Sequence, residues 1–232
     1  GVRVVRGELS IVVVILALLT ILVWIWVAYP IAYAFYNSFH TYDLTRPWLL
    51  GEFIGLKNYI GVIRSYYFLK SLSVTALFIA ISVPLTVFLA LGIATILNQD
   101  YIRGVKVLQL IALLPWAIPV VISGTMYKWM FDGNYGVVNY VLTKLGILSE
   151  YEPWLTKPWF TLLIVCLAWI WTQYPLPTIL FLARLKLMPS DVYEASIIDG
   201  ANIFNRFRYV TLTWLRPILL LNLIYQTMRL ST

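Results

Sequence analysis

The sequence predicts an all-α fold, a polytopic bundle of membrane-spanning helices, on three observations. Hydrophobic residues fill 61% of the 232 positions and charged residues only 12%, and the mean hydropathy is +0.84. A water-soluble chain does not hide that much apolar surface behind so few charges. The apolar residues also come in long continuous runs, which favours helices over a barrel. The charges gather between the runs, at 37–70, 128–158 and 184–216.

The first run, 9–36, follows Arg3 and Arg6. Its length, and Trp24, Trp26 and Tyr29 in place of a small-residue cleavage site, make it a span rather than a signal peptide. Pro30 is placed to bend its outer end. Residues 37–70 form a mixed loop with Asp43, Arg46, Glu52, Lys57 and Arg64. The second run, 71–99, carries Pro84, which frees backbone groups for neighbouring helices to satisfy. The polar turn at 98–106, with Asp100, is short, so the spans it joins are antiparallel neighbours. In the third run, 107–127, Pro115 and Pro119 interrupt the helix, and Ser123, Gly124 and Thr125 suit close packing or a cavity wall. Within the next loop, 137–148 reads as a short surface helix. The fourth run, 158–183, gathers Trp169, Trp171, Thr172, Gln173, Tyr174, Pro175 and Pro177. A fifth runs from 214 to about 232.

Lys and Arg lie closer to the spans on the side holding Arg3, Arg6, Arg103, Lys106 and 184–216. That sets the N-terminus and 184–216 in the cytoplasm, and 37–70 and 128–158 outside. The single cysteine, Cys166, excludes an internal disulfide and reads as a small core residue. His40 stands alone, which argues against a metal site. The net charge of +7 is not a nucleic-acid signal, because no compact basic run interleaved with aromatics lies outside the spans. With one His, one Cys and no paired carboxylates in the spans, an enzyme embedded in the membrane lacks its chemistry.

The stretch 189–217, PSDVYEASIIDGANIFNRFRYVTLTWLRP, is polar-rich yet helically periodic. Asp191 followed by Glu194 has the spacing of a helix-start cap. Tyr193, Ile197, Ile198, Ala201, Phe204 and Phe207 fall at three- and four-residue spacing along one face. Gly200 marks a turn or a close backbone approach. The expected form is a short helix, a break and a second short helix, suited to docking a soluble partner. Periodicity alone leaves a solvated connection, or an interfacial helix on lipid, equally open.

Glu194-Ala195-Ser196, Asp199-Gly200-Ala201, Phe207-Arg208, Thr211-Leu212 and Pro217 resemble the "EAA" loop of ABC-importer permease subunits, with Ser196 for the usual third Ala and Thr213 where a Pro is expected. Further upstream, Ala28-Tyr29-Pro30-Ile31, Phe53-Ile54-Gly55-Leu56-Lys57-Asn58-Tyr59, Leu114-Pro115-Trp116-Ala117-Ile118-Pro119, Trp129, Phe131, Gly136, Asn139 and Pro153-Trp154-Leu155 are similar to the maltose-type sugar permeases. The resemblance covers most of the chain. It implies a single permease domain over 1–232 with the type I importer fold, whose six-helix core shows five spans here, the sixth expected beyond residue 232. Between Arg216 and Arg229 the apolar run is about 20 Å long against a hydrocarbon core of roughly 30 Å. Arg229 is therefore expected to snorkel, line a polar cavity or follow a gap.

Further implications are a second homologous permease, two ATPase subunits that bind ATP and Mg, and an extracellular sugar-binding protein. ATP must sit on those partners, since no G-x-x-x-x-G-K-[ST] occurs in this chain. Glu194, Ala195, Ser196, Asp199, Gly200, Ala201, Phe204 and Phe207 are the expected ATPase-coupling residues. Polar residues in mid-span are costly unless a water-filled path uses them, and aromatic faces stack on the C–H surface of sugars. On that ground Trp169, Thr172, Gln173, Asn222, Tyr225 and Gln226 are the candidate sugar contacts; interfacial belts and interhelical hydrogen bonds are the competing use. A permease for a non-sugar solute such as glycerol phosphate is the alternative. An ion-gradient-driven transporter fits less well, because the first four spans lack ionisable residues.

Overall fold

The computed structural model describes residues 2–43, 45, 46, 51–99 and 101–231, and the side chains of these except 2–11 and 231. Asp100 and Thr232, and the side chains of Arg3 and Arg6, on which part of the sequence reading rests, lie outside the described residues. Among the described residues every extended element is helical, apart from one antiparallel bridge between His40 and Phe53.

The chain divides into two compact units, 1–72 and 73–232. In the first, α1 (Val2–Asn37) is apolar all round, and every described side chain from Val12 to Tyr36 is exposed. A helix with no polar face belongs in lipid or against another apolar surface. Pro30 lies within it without ending it. The 37–70 loop holds more structure than the sequence reading gave it. Its amphipathic helix α2 (Lys57–Arg64) is anchored when Asn58 Nδ2 donates to the carbonyls of Ser38 at 2.9 Å and His40 at 3.0 Å. The next helix, α3 (Tyr66–Leu97), begins five residues before the expected 71.

In the second unit α3 buries one stripe: Ser82, Val83, Thr86, Val87, Ala90, Leu91, Ala94 and Leu97. Ala90 and Ala94 have no exposed surface, and their small size lets a neighbouring backbone approach. Thr178 Oγ1 reaches the Ala90 carbonyl at 3.5 Å. The third apolar run is broken where its prolines predict. Helix α4 (Val105–Leu113) passes through a 3-10 turn (Leu114–Ala117) into α5 (Val120–Met130), with a 92° bend between the two arms. The fourth run bends by 43° between α7 (Pro158–Gln173) and α8 (Pro175–Lys186). Pro175 has no N–H to continue the ladder, and its ring crowds the preceding turn.

Between α5 and α7 lie α6 (Val137–Lys144), shorter than the predicted 137–148, and a 3-10 turn (Trp154–Thr156). After α8 come α9 (Ser190–Ile198), α10 (Ile203–Asn205), a π-helical turn (Arg206–Thr211) and α11 (Leu212–Ser231). Phe181, Leu185 and Leu215 from α8 and α11 pack with the Val87–Ala94 stripe of α3 as the core.

Among the described residues two helices, α1 and α3, are long and apolar enough to cross a membrane, or up to four segments if each bent pair is one span. The expected fifth span, α11, is not among them. It is 20 residues long, and Arg216, Asn222, Gln226 and Arg229 dilute its hydropathy.

Candidate functional site

Two places gather the predicted residues. The first is the segment between α8 and α11. Its helix α9 starts one residue before the predicted cap, with Pro189 at the N-cap position and no side-chain capping bond. Asp191 sits inside the first turn, so the Asp191–Glu194 capping pair does not form. The helix ends as the sequence anticipates. Gly200 has φ +74°, Gly200 N–H donates to the Ile197 carbonyl at 3.0 Å, and Ala201 N–H to Ser196 at 3.0 Å. This pair of bonds is a Schellman stop, which glycine adopts without the steric cost of a Cβ.

The expected second short helix is not separate. Asn202 Oδ1 caps Asn205 N–H at 2.8 Å, and α10 then runs through the π turn into α11. The single apolar face drawn from Tyr193 to Phe207 is therefore divided at Gly200. Phe207 packs on the core and Ala201 is half-buried. Ser196 is buried, its hydroxyl donating to the Tyr193 carbonyl at 2.6 Å. Ile198 is 85% exposed and Phe204 67%. Glu194, Ala195 and Asp199 are also exposed, and the Glu194 carboxylate makes no hydrogen bond or ion pair among the described residues. The segment thus offers an uncommitted carboxylate beside bare apolar side chains. Beneath it a hollow of about 320 Å³, lined by Thr95, Asn98, Gln99, Ser190, Tyr193 and Thr211, holds α9 off the end of α3.

The second place is the packed pair of α5 and α7, with α11 beside the end of α7. A cavity of about 390 Å³ lies between α5 and α7, with Ser123, Gly124, Tyr127, Lys128, Trp169 and Thr172 in its wall. Of the predicted sugar contacts only Trp169 and Thr172 line it. The small residues at 123 and 124 were legible as a cavity wall; Tyr127 and Lys128 were missed, because each reads as an ordinary residue at the interface end of a span. Gln173, the last residue of α7, and Asn222 and Gln226 of α11 are buried, at 5%, 0% and 0% exposure, along a seam where α11 passes the junction of α7 and α8. Gln226 Nε2 reaches the Gln173 carbonyl only at 3.5 Å, and Asn222 Nδ2 donates back along its own helix to Ile218 at 3.0 Å. Asn222 Oδ1, Gln226 Oε1 and Trp169 Nε1 are buried without a hydrogen-bond partner among the described residues, as are Ser82 Oγ and Thr86 Oγ1 of α3. Tyr225 is half-buried, and its hydroxyl accepts from Arg229 Nη1 at 3.2 Å. Hydrogen-bonding capacity is thus concentrated inside the bundle, much of it unused. Among the described residues no three His, Cys, Asp or Glu side chains are grouped to hold a metal ion.

Compared with models of known protein families, the chain matches none. It is 38% identical to the trehalose/maltose transport system permease protein MalF of Thermococcus litoralis, over 92% of this chain and 70% of that protein. The sulfoquinovosyl glycerol transport system permease protein SmoG of Agrobacterium fabrum is 34% identical over 95% of this chain and 70% of its own length. The inner membrane ABC transporter permease protein YcjO of Escherichia coli is 32% identical over 92% of this chain and 73% of its own. The fold superposes with a TM-score of 0.75 on a chain of a bacterial ABC transporter involved in the import of the acidic polysaccharide alginate, covering 97% of this chain and 75% of that one at 23% identity.

Proposed function

This chain belongs to the permease subunits of ABC transporters, and on that premise we propose that it is the membrane subunit of an ATP-driven importer of sugar. The sugar, a mono-, di- or oligosaccharide, is delivered by an external binding protein. The relatives' names support the class of cargo: two of them carry carbohydrates or glycosides. The alginate transporter has also been crystallised with a sugar-loaded periplasmic protein. The complete machine would pair this chain with a second, homologous permease and two ATPase subunits that hold ATP and Mg. In this reading the chain itself performs no covalent chemistry. Residues 1–232 act as one permease domain in the cell membrane, with the N-terminus and 184–216 cytoplasmic and 37–70 and 128–158 outside.

The observation that carries the reading is the segment around Gly200. Ile198 and Phe204 supply bare apolar area for a cleft on the ATPase, and Glu194 is free to pair with a basic group there. Closure of the ATPase dimer on ATP displaces this segment, and α8 and α11 tilt with it, a switch by rigid-body motion. The tilt opens and closes a sugar path along the α5–α7 cavity and the Gln173–Asn222–Gln226 seam. Sugars present hydroxyls for amides to hold and C–H faces for Trp169 and Tyr127 to cover.

The test is Glu194→Lys in the assembled transporter. Sugar uptake should fall to background while the permease remains in the membrane; undiminished uptake would remove the docking role. A thermal-shift screen of the companion binding protein against a sugar panel identifies the cargo.

A further inference from the structure

The two ends of the 184–216 segment are locked to each other by one residue from each flanking helix. Arg184, in the last turn of α8, lies over the ring of Trp214, in the first turn of α11, its guanidinium carbon 4.2 Å from the ring centroid. Trp214 Nε1 donates to the Arg184 carbonyl at 2.8 Å, and Arg184 Nε reaches the Trp214 carbonyl at 3.5 Å. The Arg184 carbonyl is one of the last four of α8; it also accepts from Leu187 N–H at 3.3 Å, so the indole N–H adds a second, shorter bond at the end of α8. The stacked cation and the two crossed hydrogen bonds fix distance and rotation together, which a single contact would not.

The pair is not what buries the α8–α11 interface. Phe181, Leu185 and Leu215 already do so, at 0%, 5% and 0% exposure. Met188, Phe207 and Leu212 also pack on the core, near the two ends of the segment; between them α9 is loosely held. A hollow underlies α9, and Arg206–Thr211 is a π turn, a coil found at strained or functional places. A further tie is internal to the segment, Arg206 over the Tyr193 ring at 5.2 Å. Force entering at α9 therefore reaches both α8 and α11 at the Arg184–Trp214 crossing.

We propose that Arg184 and Trp214 are positioning residues for coupling, a clasp that makes α8 and α11 turn as one body when α9 is displaced. This rests on the permease reading above. With the clasp gone, displacement of α9 is taken up by the residues joining α8 to α9 and by the π turn, and ATP is hydrolysed without moving the bundle.

The experiment uses the full transporter in proteoliposomes and measures ATP hydrolysed per sugar imported. Trp214→Leu and Arg184→Gln should leave membrane insertion and ATPase copurification at wild-type levels and raise that ratio about tenfold, a coupling factor usual between linked sites. Arg184→Lys keeps a cation over the ring and should recover most of the coupling, while Trp214→Phe, which loses the N–H, should be intermediate. A ratio within twofold of wild type in Arg184→Gln overturns the proposal. So does a loss of uptake and hydrolysis in equal proportion, which is what a purely structural pair would give. Should Trp214→Leu fail to assemble, the contrast of Arg184→Gln with Arg184→Lys still decides. Failure of the underlying reading looks different: the wild type would show no ATP-driven uptake, and Glu194→Lys would not alter it.

Discussion

The lobe at 131–157 and the seam of α11 with the α7–α8 junction both bury carboxamides with no exposed surface, Asn139 in one and Asn222 and Gln226 in the other, and they use them in opposite ways. In the lobe Asn139 is saturated. Its Nδ2 donates to the carbonyls of Asp132 at 3.1 Å and Glu152 at 3.0 Å. Its Oδ1 accepts from Glu152 N–H at 3.1 Å and Trp154 Nε1 at 2.8 Å. Trp154 then stands edge-on to Phe131 and Phe160, and Lys157 is paired with Glu152. In the seam Asn222 makes one bond within its own helix, and its Oδ1 has no partner among the described residues. A saturated network holds one geometry. An unused buried acceptor weakens the fold and leaves bonding capacity open for the sugar path proposed above.

Breaking the saturated member should have the largest effect. Asn139→Ala strands two donors, Glu152 N–H and Trp154 Nε1, while the Asp132 and Glu152 carbonyls keep Gly136 N–H and Trp154 N–H; with about 1–3 kcal/mol for each buried group left unpaired the loss should reach roughly 3 kcal/mol. A thermal melt of the purified transporter reads it, and an unshifted melting temperature would mean that the lobe is held by something else. Asn222→Leu and Gln226→Leu should do the reverse. Stability should stay within about 1 kcal/mol, since interhelical polar bonds in membranes average less than that. Sugar uptake should drop about tenfold, the worth of one good hydrogen bond. A mutant that melts early yet transports normally would reassign the seam to packing. A smaller effect is expected from Gln173→Ala, whose side chain contributes only a weak 3.4 Å contact to Thr172. It should raise the half-saturating sugar concentration about threefold without loss of assembly.

The smallest effect concerns pH. Asn134 N–H, 2.8 Å from Asp132 Oδ1, is the main reason the Asp132 carboxyl is held below its usual value of 3.8. A carboxylate held low contributes stability above its unfolded pKa and loses it as pH falls through the folded one. The melting-temperature cost of Asp132→Ala should therefore be present at neutral pH and vanish in strong acid. A cost that does not change with pH would deny the ionised carboxylate any part in the turn.

The two regions also differed in how far the sequence revealed them. The seam was legible because Gln173, Asn222 and Gln226 interrupt apolar runs, and a polar residue there announces itself by its cost. The Asn139 network was not, because the partners of Asn139 are mostly backbone groups 7 and 13 residues away, brought together only by the fold. Gly200 was readable as a stop, since positive φ is a property of the residue itself. The fusion of α10 through a π turn into α11 was not, since no residue type encodes that turn. Helix starts misled for a similar reason: Asp191 has the right spacing for a cap, but Pro189 already fixes where α9 begins. Membrane sidedness came from charges alone, and the central claim rests on it.

The most direct test of that claim places a photo-crosslinking residue at Ile198, which is 85% exposed, in the transporter assembled in its membrane. Irradiation should yield an adduct of this chain with the nucleotide-hydrolysing subunit, while the same probe at Tyr135, in the 128–158 loop proposed to lie outside, should yield none. An Ile198 probe that captures only lipid, or a protein on the outer face, would contradict the account.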